Sequence, residues 1–150
     1  MKKIINKNLY LIGIILVGSL FHITFWGLNE ILKNADCFAY LQMSYHFKAL
    51  SLEGFGTGWF GFLYSLLISI FDTLTFSINE YYAVLSLNII LFGVSALILY
   101  KIGEKYLGKK FNLLLVVLFY LSSILLHFNI GVLSENIYIP LFLGLVLFLI

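Results

Sequence analysis

The chain has 150 residues, of which 62% are hydrophobic, 18% aromatic and 11% charged, whereas soluble domains carry about 25% charged residues. So few charges cannot cover a water-exposed globule, and a net charge of +2 with every basic residue a lysine offers no basic stripe that tracks nucleic acid. The expected fold class is all-α, a polytopic transmembrane helical bundle of one domain over residues 1–150, with extracytoplasmic surface helices.

The first apolar run, 9–28, follows Lys2, Lys3 and Lys7. A cleavable leader needs a shorter apolar core and a small-residue cleavage site, and Phe21-His22-Ile23-Thr24-Phe25-Trp26 offers none. The run is expected to be an uncleaved span with its basic end in the cytoplasm and Trp26 in the far interface.

The stretch 34–62 breaks the apolar pattern. It contains Asp36 and the sequence Phe38, Tyr40, Leu41, Met43, Tyr45, Phe47, Leu50, which predicts a surface helix over about 36–52 with Asp36 in its first turn. Asn34 or Asp36 in that setting is an ordinary helix-starting residue. A carboxylate fixed there at the membrane surface is equally suited to act as general base or metal ligand. Gly54-Phe55-Gly56-Thr57-Gly58 is no phosphate loop, having neither a preceding strand nor a following Gly-Lys-Ser/Thr. It reads as turns between two surface helices. Cys37 is the sole cysteine, so no internal disulfide forms.

Residues 59–77 are short for a span, rich in Ser, Thr and Gly, and carry Asp72. The next basic cluster, Lys101, Lys105, Lys109 and Lys110, belongs on the cytoplasmic side together with the N-terminus. An even number of crossings must separate the two clusters, so 59–77 is expected to lie at the surface or re-enter, leaving 9–28 and 82–100 as the spans. Asn88 inside the second is expected to bond to a neighbouring helix. A third span, 111–130, then leads out to His127 and Glu135. The last run, 137–150, supplies roughly 21 Å of helix against a hydrocarbon core of ~30 Å, as if cut off inside a fourth span. Its Pro140 is expected in the first turns, where a missing N–H costs least.

Every acid except Glu104 falls on the extracytoplasmic side in this topology. Asp36 and Glu135 lie at similar depth, and two carboxylates there can share a divalent cation. Glu135 in Ser134-Glu135-Asn136 also suits the start of the last helix through the helix dipole. His127, near the outer end of the third span, is an ionisable group at membrane depth and a candidate for that reason, set against plain bonding to the backbone or Asn129. His22 and His46 are given structural or interfacial roles. No HExxH, CxxC or GxSxG occurs.

The layout of one span, an acidic outer loop with a Tyr-bearing surface helix, a second surface helix, a span ending in a basic loop, and a span leading to a second acid resembles the N-terminal half of the GT-C fold glycosyltransferases. These polytopic enzymes use lipid-phosphate-linked sugars, and the group includes protein O-mannosyltransferase and aminoarabinose-transferase relatives. The resemblance implies a cell-envelope enzyme of the inner (plasma) membrane that transfers a sugar from a polyprenyl-phosphate donor to an extracytoplasmic acceptor. It implies that Asp36 and Glu135 are the catalytic or metal-binding acids, with Tyr40 and His127 near the substrate. Two departures stand out: Asp36-Cys37 replaces the paired acids common in that group, and Gly56-Thr57-Gly58 stands where prolines are frequent. Such enzymes are several times longer, so 150 residues alone are expected to be inactive. The rivals are a non-catalytic small membrane protein or accessory subunit, and part of a transporter, which would place more polar groups at the bilayer midplane.

Overall fold

The computed structural model describes residues 2–28, 35–50, 62–75, 80–122 and 135–150. They form six α-helices: α1 Lys2–Leu28, α2 Ala35–Lys48, α3 Phe62–Thr75, α4 Glu80–Tyr106, α5 Lys109–Leu121 and α6 Glu135–Leu149. No strand occurs among the described residues, and the all-α class is as expected. Leu, the residue that recurs most in these runs, is among the stronger helix formers, and Pro140 of α6 is the one proline in the described helices. The α4–α5 break falls at Leu107-Gly108, where Gly108 turns extended.

Of the described helices, the stretch Tyr81–Tyr106 is long and apolar enough to cross a bilayer; Leu9–Thr24, Phe62–Leu74, Lys110–Leu121 and Asn136–Leu149 are shorter apolar helices. Helix α4 runs past the expected end at residue 100 because Tyr100-Lys101-Ile102-Gly103-Glu104-Lys105 continues the helical spacing, with Lys101 paired to Glu104 at i,i+3. Pro140 departs from expectation. It is the sixth residue of α6, beyond the first-turn positions whose N–H groups have no partner anyway, so the Asn136 carbonyl loses its intrahelical donor.

Helix α4 is shared by two cores. The first joins Tyr40 and Leu41 of α2, Tyr64 and Ile68 of α3, Val84 and Leu87 of α4, and Ile137 of α6. The second joins Leu11 of α1 to Phe92, Ala96 and Tyr100 of α4 and to Val116, Phe119 and Tyr120 of α5, with Ile139 of α6 against it.

Contacts along α4 give the directions of its neighbours. His22 sits on Phe92 while Leu11, nearer the start of α1, joins the cluster that reaches Tyr100, so α1 runs antiparallel to α4. Phe119 stacks on Phe92 at 4.4 Å and Asn112 Nδ2 donates to the Tyr100 carbonyl at 2.9 Å, so α5 is antiparallel as well. Helix α6 is parallel to α4: Ile137 lies with Val84 and Leu87, and Lys105 Nζ donates to the Ile150 carbonyl. The starts of α1 and α5 therefore share one end of the bundle with the lysine-bearing end of α4. The starts of α4 and α6 and the end of α3 share the other. Helix α3, of 14 residues, pairs only with the first half of α4, from Thr75 back to the level of Asn88.

A close approach fixes α1 against α5. A Cβ built at Gly18 would overlap the Tyr120 ring, and that ring is held edge-on by His22, Phe92 and Phe119. The three rings block its retreat into the core, leaving only the groove between α1 and α5. Gly18→Ala is expected to cost about 2 kcal/mol by overpacking, whereas Gly13→Ala, which meets nothing within 4 Å, is expected to be neutral or slightly stabilising through helix propensity. Thermal unfolding of both variants in a neutral detergent checks the contrast.

Candidate functional site

In helix α2 the burial divides the expected apolar pattern. Tyr40, Leu41 and Met43 are buried, whereas Phe38 and Tyr45 are exposed; the helix ends at Lys48, short of the expected residue 52, and Leu50 beyond it is exposed with a left-handed backbone, φ 52°. Three and four residues separate Tyr40 from Met43 and Ser44, one stripe of a 3.6-residue helix, and that stripe faces α3. Tyr40 meets Tyr64 edge-to-face at 5.7 Å. Tyr64 in turn donates its hydroxyl to Asn88 Oδ1 at 2.7 Å, the helix-to-helix bond expected of Asn88. Both partners are almost fully buried, so the bond holds α3 to α4 by about 1 kcal/mol net.

Beside these residues lies a polar seam that the sequence reading missed. Ser65, Ser69 and Asp72 are spaced i, i+4, i+7 on one face of α3, and all three are buried. Asp72 forms an ion pair with Lys48 at the end of α2. The carboxylate side chain is only 3% exposed and the lysine 35%, so the pair is anchored in the bundle at one end and wet at the other. Asp72 Oδ1 and Ser65 Oγ are buried without a hydrogen-bond partner among the described residues. A carboxylate oxygen in that state is an open acceptor. The signal was present in the sequence, because three polar residues at helical spacing inside an apolar run point inward. Their abundance was instead read as a mark of surface exposure.

The expected site residues stand as follows. Asp36 is the second residue of α2, one turn before Tyr40, and Glu135 opens α6, two residues before Ile137. Tyr40 and Ile137 belong to the same core cluster, so both helix starts lead into one packed region. The side chains of Asp36 and Glu135, and the whole of His127, lie outside the described residues. Tyr40 is described, and it is a core residue packed on Tyr64. Among the described residues no three His, Cys, Asp or Glu side chains gather as a metal site.

His22 has the structural role expected of it. It is buried, with Nε2 3.3 Å from the Tyr120 carbonyl and its ring against Phe92. A groove of about 600 Å³ runs between α1 and α5, lined by Leu9, Val17, Phe21, Val117 and Leu121 among others. It carries no ionisable acid or base beyond the phenols of Tyr10 and Tyr120, and it does not coincide with the polar seam on α3. Its chemistry suits a hydrocarbon chain and no catalytic step. No family model, curated protein or solved structure matches the chain.

Proposed function

We propose that the chain is a multi-pass protein of the plasma membrane with a cytoplasmic N-terminus, and that it contributes the acidic rim of a glycosyltransferase using a polyprenyl-phosphate-linked sugar. One observation carries the membrane part: α1, α4, α5 and α6 alternate so that the lysine-bearing ends of α1, α4 and α5 come together, while Asp72, Glu80 and Glu135 belong to the opposite end. That separation is what the positive-inside bias requires of spans that cross out, in, out and in. Helix α3 is in this reading a re-entrant helix lying along the outer half of α4, because a full crossing there would put the lysine cluster of α4 and α5 on the side opposite the N-terminus.

For the transfer part, the support is the convergence of the starts of α2 and α6, which bear Asp36 and Glu135, on one core cluster. Asp36 takes the proton of an acceptor hydroxyl, the oxygen attacks the anomeric carbon, and the bond to phosphate breaks as polyprenyl phosphate leaves. A divalent cation, held by Asp36 and Glu135, would neutralise the leaving phosphate. A second reading, an accessory membrane subunit without catalysis, is favoured by the polar groups tied off inside the bundle, Tyr64 to Asn88 and Lys48 to Asp72.

The experiment has two arms. In a Cys37→Ser background, single cysteines at Asn79 and Lys105 are labelled in intact cells with an impermeant maleimide. Labelling at 79 and protection at 105 is expected, and the reverse would overturn the topology. Membranes carrying the natural full-length gene product are then given an isotope-labelled polyprenyl-phosphate sugar. Label transferred to an acceptor supports the enzyme, and an unchanged donor with the correct topology leaves the accessory subunit.

A further inference from the structure

The α4–α5 hairpin at the lysine-bearing end is a rigid, exposed knuckle of mixed character. A Cβ at Gly103 would overlap Asn112 Oδ1, so α4 and α5 touch there backbone to side chain. The same Asn112 is fully buried and donates to the Tyr100 carbonyl. With only Leu107 and Gly108 between the helices, the turn is pinned in one geometry. It holds Lys101, Lys105 and Lys110 on the outside, Lys105 also donating to the exposed Ile150 carbonyl, together with Tyr106 at 67% and Phe111 at 69% exposure. Lys101 meets Glu104, the only acid of this segment, yet its side chain stays 64% exposed. Helix α1 begins at the same end with Lys2, Lys3 and Lys7 in its first turns.

Exposed aromatic rings beside lysines, at the end of an apolar helix pair, are the composition of a headgroup-level surface. A nucleic acid or acidic protein would use the lysines but gains nothing from apolar rings set level with helices that enter hydrocarbon. We infer that this knuckle selects anionic phospholipid headgroups of the cytoplasmic leaflet, with Lys101, Lys105 and Lys110 on the phosphates and Tyr106 and Phe111 wedged at the acyl boundary. The inference rests on the membrane reading and adds lipid selection to it.

The full chain is reconstituted into vesicles of equal phosphatidylglycerol and phosphatidylcholine, extracted in a neutral detergent, and its retained lipids are counted by mass spectrometry. Phosphatidylglycerol enrichment of about fivefold is expected, the scale of one lysine's attraction to an anionic surface. It should fall at least twofold in K101Q/K105Q/K110Q, since Lys2, Lys3, Lys7 and Lys109 remain, and to parity in 1 M salt, where the screening length is about 3 Å. Parity in the parent chain overturns the inference, as does enrichment that the triple variant keeps. Loss of the chain from floated vesicles after an alkaline wash would sink the membrane reading itself, a separate and recognisable failure.

Discussion

In the natural full-length product, replacing Asp36 with asparagine is expected to lower the proposed sugar transfer by at least a hundredfold, about 2.7 kcal/mol of transition-state stabilisation, with little change in fold. A positioned general base contributes about 10²–10⁴ in rate, and asparagine can accept a hydrogen bond but cannot take a proton. The structural role competing with catalysis is small and separable. Asp36 is the second residue of α2, so its charge favours the helix start through the dipole by about 0.3–1 kcal/mol. A variant that acted only through that term would lower the melting temperature and leave the specific activity of the folded fraction untouched. Turnover per folded molecule, measured beside thermal unfolding, separates the two. Full activity in the asparagine variant removes Asp36 from the mechanism.

The second large effect concerns stability. Lys48→Met is expected to destabilise the bundle by about 2–3 kcal/mol, because it strands a carboxylate that is only 3% exposed. Breaking a fully buried pair costs about 3–5 kcal/mol; the lower figure reflects the 35% exposure of Lys48. The reciprocal change, Asp72→Asn, should cost less, since the freed ammonium already reaches solvent. The double variant K48M/D72N is expected to regain most of the loss, because neither buried nor exposed charge is then left alone. Chemical or thermal unfolding of the three variants in one detergent gives the cycle. Equal and small losses in both singles would show that the pair contributes nothing, as many ion pairs at water's edge do.

Composition alone was enough for the helices, because an apolar chain must satisfy its own backbone. The apolar runs fall inside α1, α4 and α6, but α1 starts seven residues before the expected span and α4 ends six after it, and α5 stops at Leu121 with Ser122 extended where a span to residue 130 was expected; Asn88 declared its need for a partner by standing inside an apolar run. The partner itself, Tyr64, could not be named from sequence. Choosing it requires knowing that α3 turns back along α4, and a tyrosine 24 positions away looks the same on an interfacial helix as on a packed one. The Lys48–Asp72 pair was illegible for a related reason. Both residues are plain in the sequence as charges, but local spacing says nothing about which residues of two separate helices meet. Tyr40 was placed near the substrate only through the GT-C resemblance; the structure packs it with Tyr64 and Leu41 in the first core, a contact between helices that sequence spacing does not carry.

The two cores also differ in how far apart along the chain their members lie. Tyr64 and Asn88 are 24 positions apart, and every described member of their cluster except Ile137 precedes Asn88. His22 and Tyr120 are 98 positions apart, so the seat of α1 is complete only after α5 has been made. Near neighbours close before distant ones because less chain entropy is surrendered in bringing them together. During vectorial synthesis the middle of the chain would therefore set first, and the segment that leaves the ribosome earliest would be among the last to find its final berth.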